Sequence, residues 1–72
     1  MALTAKEFDL LVLFAQNRNI VLCRDRIFER VWNEEYLGDS RTVDLHIQRM
    51  RKKLGLEDRL VAVYKVGYRL EG

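Results

Sequence analysis

The sequence predicts one small domain that is mostly α-helical, with a minor β component near its C-terminal end. Apolar residues recur at helical spacing in three segments, and capping residues are recognisable near the helix starts. After the third segment, two short β-prone runs flank a glycine, as they do in a hairpin. A domain of 72 residues buries only about 60% of the surface that its unfolded chain exposes, so a deep catalytic pocket is not expected.

The first helix is predicted from about Ala5 to Asn17. Thr4 and Glu7 have capping-box spacing, in which each side chain accepts a hydrogen bond from a free backbone amide at the helix start. Apolar residues cover more than half of the circumference and leave a narrow polar stripe near Asp9 and Gln16. Two interpretations stay open: a central helix in a very small domain, or a helix that packs against a further element, such as a preceding sheet.

The second helix is predicted over Arg24 to Trp32. A short β-prone run, Ile20 to Leu22, precedes it, and Cys23 occupies the position of the helix cap. A single cysteine cannot form an internal disulfide and is too few for a zinc site, which suits a reducing compartment. The residues at helical spacing are Ile27, Phe28, Val31 and Trp32.

The third helix is predicted from Ser40, its cap, to Leu54, with Gly55 as its end. A turn-forming segment, Asn33 to Asp39, separates it from the second helix. The stretch Arg41 to Lys53 holds five of the thirteen Lys and Arg residues and one acid, so it contributes +5 − 1 = +4. The whole chain carries +2, which leaves −2 for the remainder.

This third helix has two faces. At about 100° per residue its apolar residues fall within about 60° of one another and predict a buried face. The opposite face is basic at its ends and suits the groove of a polyanion. The predicted buried residues are Val43, Ile47, Met50 and Leu54, and the outward residues are Arg41, Leu45, Gln48, Arg49 and Lys52.

A hairpin is predicted at the C-terminal end, with strands over Leu60 to Tyr64 and Tyr68 to Leu70 around Lys65, Val66 and Gly67. Helix, loop and capped basic helix form a helix-turn-helix, and the hairpin makes it the winged form. In that arrangement the basic helix enters the major groove, about 12 Å wide, and the hairpin reaches the neighbouring backbone or minor groove.

The outward residues allow different roles. Arg49 is the candidate for bidentate contact with guanine, with a phosphate contact as the alternative. Leu45 suits a thymine methyl, and Gln48 and Asp44 suit base edges, although an acid in the first helical turn is also favoured by the helix dipole. Arg41, Arg51, Lys52 and Lys53 are predicted phosphate contacts, with Arg51 and Lys53 lying toward the buried side.

Other classes of protein fit poorly. His46 has no second histidine or paired nucleophile, so it is expected as a packed boundary residue. Trp32 is expected in the core or donating its indole N–H to a phosphate.

No metal site or cofactor is expected, and the longest apolar run, Leu10 to Ala15, is too short to span a membrane. The expected location is the cytoplasm; the alternative function is a protein-interaction module whose basic helix meets an acidic partner.

Four segments, LTAKEFDLL, CRDRIFERVW, GDSRTVDLHIQRMRKKL and VGYRL, closely resemble the effector domain of OmpR/PhoB-type response regulators. The resemblance implies a winged helix-turn-helix that binds double-stranded promoter DNA, usually as a tandem pair on direct repeats, under control of a phosphorylated receiver domain. It implies base-facing positions for Asp44, Leu45, Gln48 and Arg49, and positions near phosphates for Trp32, Arg41, Thr42 and His46. The loop from Asn33 to Asp39, with Glu34, Glu35 and Tyr36, matches the segment that touches RNA polymerase in this family.

The chain also departs from the family pattern. The wing tip reads Tyr64-Lys65 where the family often has Arg-Gly, so the minor-groove arginine is missing and Lys65 offers a point charge instead. Cys23 replaces the usual serine cap and is weaker by roughly 1 kcal/mol. The family's receiver domain and N-terminal four-stranded sheet are not in these 72 residues, which predicts a domain truncated at its N-terminus.

Overall fold

Three helices are followed by a small sheet in the computed structural model, which describes residues 2–38 and 41–72. The fold class is therefore confirmed as mostly helical with a small antiparallel β component. In chain order the elements are α1 (Ala5–Gln16), β1 (Leu22–Cys23), α2 (Arg24–Trp32), α3 (Arg41–Leu54), β2 (Leu60–Val63) and β3 (Gly67–Leu70).

The start of α1 is the predicted capping box. The backbone N–H of Glu7 donates to Thr4 Oγ1 at 3.2 Å, and Glu7 Oε1 accepts from the backbone N–H of Thr4 at 2.8 Å. The helix ends at Gln16, one residue earlier than predicted, and Asn17 is its C-cap. The Asn17 side chain donates to the Leu13 carbonyl at 2.8 Å, which satisfies an acceptor in the last helical turn.

The bounds of α2 are those predicted, Arg24–Trp32. Cys23 is its N-cap and makes no side-chain capping hydrogen bond, as expected for a cysteine at this position. Gly55, with φ of 65°, follows the end of α3 in the left-handed conformation that a glycine tolerates best. The predicted cap Ser40 and the loop residue Asp39 lie outside the described residues.

The C-terminal hairpin is confirmed, but its strands are Leu60–Val63 and Gly67–Leu70, and Tyr64 belongs to the turn. The sheet also has a third strand that was not predicted to pair with it. β1 runs antiparallel to β3, with Leu22 opposite Tyr68, so the strand order is β1-β3-β2. Gly67 permits this pairing, because a Cβ there would lie 1.9 Å from the Leu22 carbonyl oxygen.

One hydrophobic core joins all three helices to the sheet. Three of the four residues predicted for the buried face of α3 are fully buried, but Leu54 is 38% exposed. That prediction was wrong, because Leu54 is the last residue of α3 and burial does not extend to the end of the helix. The buried apolar residues are Leu10, Phe14, Leu22, Ile27, Val31, Val43, Ile47, Met50, Leu60 and Tyr68.

The wide apolar arc of α1 is only partly covered. Leu10 and Phe14 face the core, whereas Phe8 on the other side is 56% exposed. Phe8, Val12 and Leu13 line a surface groove between α1 and α2, with Arg30 at its edge. Within this chain α1 is therefore open on one side. Among the described residues, no helix has the length and apolar character needed to cross a membrane.

Candidate nucleic-acid interface

The outward face of α3 is an exposed strip with a rigid support beneath it. Gln48, Arg49 and Lys52 are exposed, and Leu45 is 48% exposed despite its apolar side chain. Val43, Ile47 and Met50 on the opposite face are fully buried, which fixes the rotation of the helix about its axis. Arg41 is exposed at the N-terminal end of the same strip. The outward orientation predicted for these five residues is confirmed.

Asp44, for which a base contact and a helix-dipole role were both predicted, is engaged by two other parts of the protein. Its Oδ1 accepts a hydrogen bond from Arg24 Nε at 2.9 Å and another from the Tyr68 hydroxyl at 2.7 Å. The Arg24 guanidinium also lies over the Tyr68 ring, 5.1 Å from its centroid. Arg24, Asp44 and Tyr68 thus form one network, and the carboxylate has an intramolecular role.

The electrostatics of this network favour the charged pair. The hydrogen bond to Asp44 is the main reason that the pKa of Arg24 is raised above its ordinary value. Burial is the main reason that the pKa of Tyr68 is raised above 10.0, and its hydrogen bond to Asp44 acts in the same direction. At neutral pH the Tyr68 hydroxyl therefore keeps its proton and donates a hydrogen bond to the carboxylate.

Two of the predicted phosphate contacts, Arg51 and Lys53, are half-buried. Lys53 Nζ lies 2.7 Å from Glu7 Oε1, and the Glu7 side chain is almost fully buried at the start of α1. Lys53 therefore joins the end of α3 to α1, and its ammonium already has an intramolecular partner. Arg51 is half-buried, and its Nε is buried without a hydrogen-bond partner in the described part of the chain. Both residues follow the alternative of flanking the buried face.

The half-buried side chains beside the strip form an aromatic cluster. Trp32 stacks on Phe28 with 5.2 Å between ring centroids, and the His46 ring meets Trp32 edge-on at 5.1 Å. His46 Nδ1 lies 2.8 Å from the Thr42 carbonyl oxygen, which can only accept, so Nδ1 carries the proton. His46 is thus a packed boundary residue, and Trp32 connects the end of α2 to α3.

Lys6 of α1 supports the same cluster and was not predicted. Its Nζ donates to the Val31 carbonyl at 3.0 Å and lies 5.5 Å from the Trp32 ring centroid. The interaction places a cation at the C-terminal end of α2, where the free carbonyls and the helix dipole favour it.

The wing, which we define as β2, β3 and the turn 64–66, ends in an exposed basic tip. Tyr64 is 84% exposed, and Lys65 Nζ lies 5.5 Å from its ring centroid. Lys65 has a φ of 61°, in the left-handed region that favours glycine. The turn therefore adopts a positive φ at a lysine, where the resembled family often has glycine.

The segment between α2 and α3 exposes Glu34 and Glu35. Tyr36 anchors it, since its ring meets Phe28 edge-on with 5.7 Å between centroids. The described residues contain no group of three or more His, Cys, Asp or Glu side chains that could hold a metal ion.

Comparison with known proteins identifies the family. Residues 1–70 match the family described as "Transcriptional regulatory protein, C terminal". The chain belongs to the OmpR/PhoB-type DNA-binding domains of response regulators. It is 49% identical over 71 residues to the uncharacterised transcriptional regulatory protein YclJ of Bacillus subtilis strain 168, which covers 96% of this chain and 31% of YclJ. The chain therefore spans about a third of that relative.

Solved structures of response-regulator domains have the same fold. The DNA-binding domain of Bacillus subtilis CssR superposes with a TM-score of 0.86 and 38% identity, over 96% of this chain and 77% of CssR. The Klebsiella pneumoniae RstA DNA-binding domain, solved in complex with the RstA box, gives a TM-score of 0.88 and 31% identity over 97% of this chain and 73% of RstA. This effector domain belongs to a family of DNA-binding regulators, which is not an enzyme family.

The sequence interpretation of this effector domain missed the partners of two residues. Arg24 and Tyr68, which bind Asp44, are 20 and 24 positions away from it. A buried strand tyrosine needs a partner for its hydroxyl, and that requirement was the available signal for Tyr68. For Glu7 the sequence carried only the capping-box signal, because its partner Lys53 is 46 positions away.

Proposed function

We propose that this effector domain binds double-stranded promoter DNA in a sequence-specific manner, with α3 in the major groove. The observation that carries the proposal is the exposed strip of α3 above a fully buried face. An exposed leucine between cations has little value in water, but apolar contact with a thymine methyl makes it useful. The rigid support keeps the strip in one orientation, as base recognition requires.

The side chains divide by chemistry into base and backbone contacts. We assign base contacts to Leu45, Gln48 and Arg49, of which Arg49 can bond guanine in a bidentate manner. We leave Asp44 out of this group because Oδ1 already accepts two hydrogen bonds. We assign phosphate contacts to Arg41 and Lys52 on the strip, to the neighbouring Trp32, Thr42 and His46, and to Lys65 on the wing.

In a complete regulator we propose that two such domains bind direct repeats in tandem, in the cytoplasm, under control of a phosphorylated receiver domain. The exposed Glu34 and Glu35 suit a basic surface of RNA polymerase, and the packing of Tyr36 on Phe28 holds their segment against α2. These steps rest on the family and on the charge and position of the segment.

A salt titration tests DNA binding directly. Duplexes are selected from a random pool with the native protein, and the dissociation constant is measured across salt concentrations for a selected and a scrambled duplex. Three cationic phosphate contacts, from Arg41, Lys52 and Lys65, predict a log–log slope of about −2.7 in affinity, from about −0.9 per phosphate. The selected duplex should bind more tightly than the scrambled one at every salt concentration. Failure to select any duplex, or a flat response to salt, would contradict the proposal.

A further inference from the structure

Three elements of the fold meet at one carboxylate oxygen. Asp44 in the first turns of α3 accepts from Arg24, the first residue of α2, and from Tyr68 in β3. The Arg24 guanidinium also contacts the Tyr68 ring, so each of the three residues contacts the other two. A change at any one of the three residues therefore alters how α2, α3 and β3 are joined.

The position of Tyr68 affects the two neighbouring strands as well as its own. It lies in the central strand of the sheet, opposite Leu22 of β1 and Ala62 of β2. Lys65 is only three residues earlier, at the tip of the wing. Because β3 pairs with both of its neighbours, a displacement of Tyr68 moves the hairpin that carries Lys65.

The network directly links two parts that are otherwise joined through the core. The helix α3 packs against α1 and α2, whereas β3 packs against β1, β2 and α1. The hydrogen bond from Tyr68 to Asp44, at 2.7 Å, connects α3 directly to the hairpin. Tyr68 is 2% exposed, and the Asp44 side chain, at 37% exposed, is partly withdrawn from water. A charge-assisted bond with these properties constrains orientation strongly.

We propose that Asp44 is a positioning residue that sets the wing relative to the base-reading strip of α3, so that the two bind DNA in a fixed register. This inference rests on the proposed DNA binding. In it Asp44 contacts no base; it acts through Tyr68 and Arg24 on the position of Lys65. The energetic contribution of Lys65 to DNA binding therefore depends on Asp44.

A double-mutant cycle tests this dependence. The dissociation constants of the native protein, Asp44→Asn, Lys65→Ala and the double variant are measured on a duplex selected by the native protein. Lys65→Ala should weaken the DNA binding of the native protein several-fold. In the Asp44→Asn background the same substitution should weaken DNA binding by a factor that is about twofold smaller or more, the range found for coupled residues. Equal factors in the two backgrounds would overturn the inference.

Two further variants separate positioning from other roles of Asp44. Tyr68→Phe removes the hydroxyl donor but leaves the carboxylate in place, so it should show the same coupling with Lys65→Ala. If Asp44→Asn does not fold, the cycle with Tyr68→Phe tests the inference in its place. Asp58→Asn makes the same charge change at an exposed residue before β2 and should be additive with Lys65→Ala. Loss of preference at one base pair with full additivity would show that Asp44 reads a base and would overturn the inference.

A measurement without DNA distinguishes failure of this inference from failure of the proposed function. Spin labels at Gln48→Cys and Lys65→Cys, in a Cys23→Ser background, report the distance between the strip and the wing tip; both labelled positions are exposed. Asp44→Asn and Tyr68→Phe should broaden or shift the distance distribution, and Asp58→Asn should not. An unchanged distribution in the first two variants would overturn the positioning role, whatever the protein binds.

Discussion

Arg49 and Lys52 lie three residues apart on the exposed strip of α3 and carry the same charge, so they form a matched pair for separating base recognition from backbone contact. Arg49→Ala should weaken binding to a selected duplex by about 1 to 3 kcal/mol and relax the preference at one base pair. Lys52→Ala should weaken selected and scrambled duplexes alike and reduce the salt slope by about 0.9. Equal losses on both duplexes for Arg49→Ala would remove Arg49 from the base-reading group.

The ion pair of Glu7 and Lys53 predicts how stability depends on pH. The hydrogen bond from Lys53 is the main reason that the pKa of Glu7 is lowered from 4.5, and the bond from the Thr4 backbone adds to it. A carboxylate with a lowered folded-state pKa contributes stability above its unfolded pKa, and this contribution is lost as pH falls through the folded value. We therefore expect the melting temperature of the native protein to decrease as the pH falls below about 4.5.

Variants show whether this acid sensitivity comes from the pair. Glu7→Gln should lower the melting temperature at neutral pH and flatten its dependence on pH below about 4.5. Glu57→Gln, at an exposed position, should change neither the melting temperature nor its pH dependence. Lys53→Gln should lower stability and leave the salt slope of DNA binding unchanged, because its ammonium is directed at Glu7. A reduced salt slope in Lys53→Gln would instead show that Lys53 contacts a phosphate.

Among the elements, the wing turn combines backbone strain with a useful charge. Lys65 has a φ of 61°, which costs a non-glycine residue about 1 to 2 kcal/mol relative to an ordinary conformation. Lys65→Gly should therefore stabilise the protein in denaturant unfolding by up to about 1 kcal/mol, the strain relief being partly offset by the greater unfolded-state entropy of glycine. The same variant should bind DNA more weakly.

A matched variant separates strain from charge at this turn. Lys65→Asn removes the same charge but keeps a side chain that tolerates the left-handed region. It should weaken DNA binding about as much as Lys65→Gly does. If Lys65→Gly bound DNA as tightly as the native protein, the wing lysine would have no role in binding.

The elements that local patterns specify were predicted well, and those that depend on distant contacts were not. The bounds of α2 and the capping box of α1 follow from residues within a few positions of one another. The pairing of β1 with β3 joins Leu22 to Tyr68, and no pattern in a two-residue strand predicts that partner. Periodicity also placed Leu54 on the buried face correctly by angle but could not show where along the helix the core ends.

The candidate site shows the same division. The exposed strip followed from helical geometry, and Leu45, Gln48, Arg49 and Lys52 lie where they were predicted. The role of Asp44 did not follow, because its residue type and position in the first turns of α3 suit a base contact and an internal ion pair equally. Its internal partners, Arg24 and Tyr68, approach from other elements, and no local pattern in α3 could show them.

At the scale of the whole molecule, the groove beside Phe8 indicates that α1 is incompletely covered. Phe8 is 56% exposed beside Val12 and Leu13, whereas Phe14 on the opposite side of α1 is 1% exposed. We propose that a preceding sheet of the kind expected from the family covers this groove when it is present. In the 72-residue chain Phe8→Ser should then change the free energy of unfolding by less than about 1 kcal/mol, because more than half of Phe8 is already exposed to water.

The prediction differs for a longer protein that includes the preceding sheet. There Phe8→Ser should cost about 2 kcal/mol or more, since the side chain would be buried against the added strands. Phe14→Ala is the control, because it should cost about 3 to 5 kcal/mol in both proteins. Urea unfolding of the two lengths, each with and without the substitution, measures the difference. An equal cost of Phe8→Ser in both would mean that the sheet leaves this groove open and that the exposed arc of α1 serves another contact.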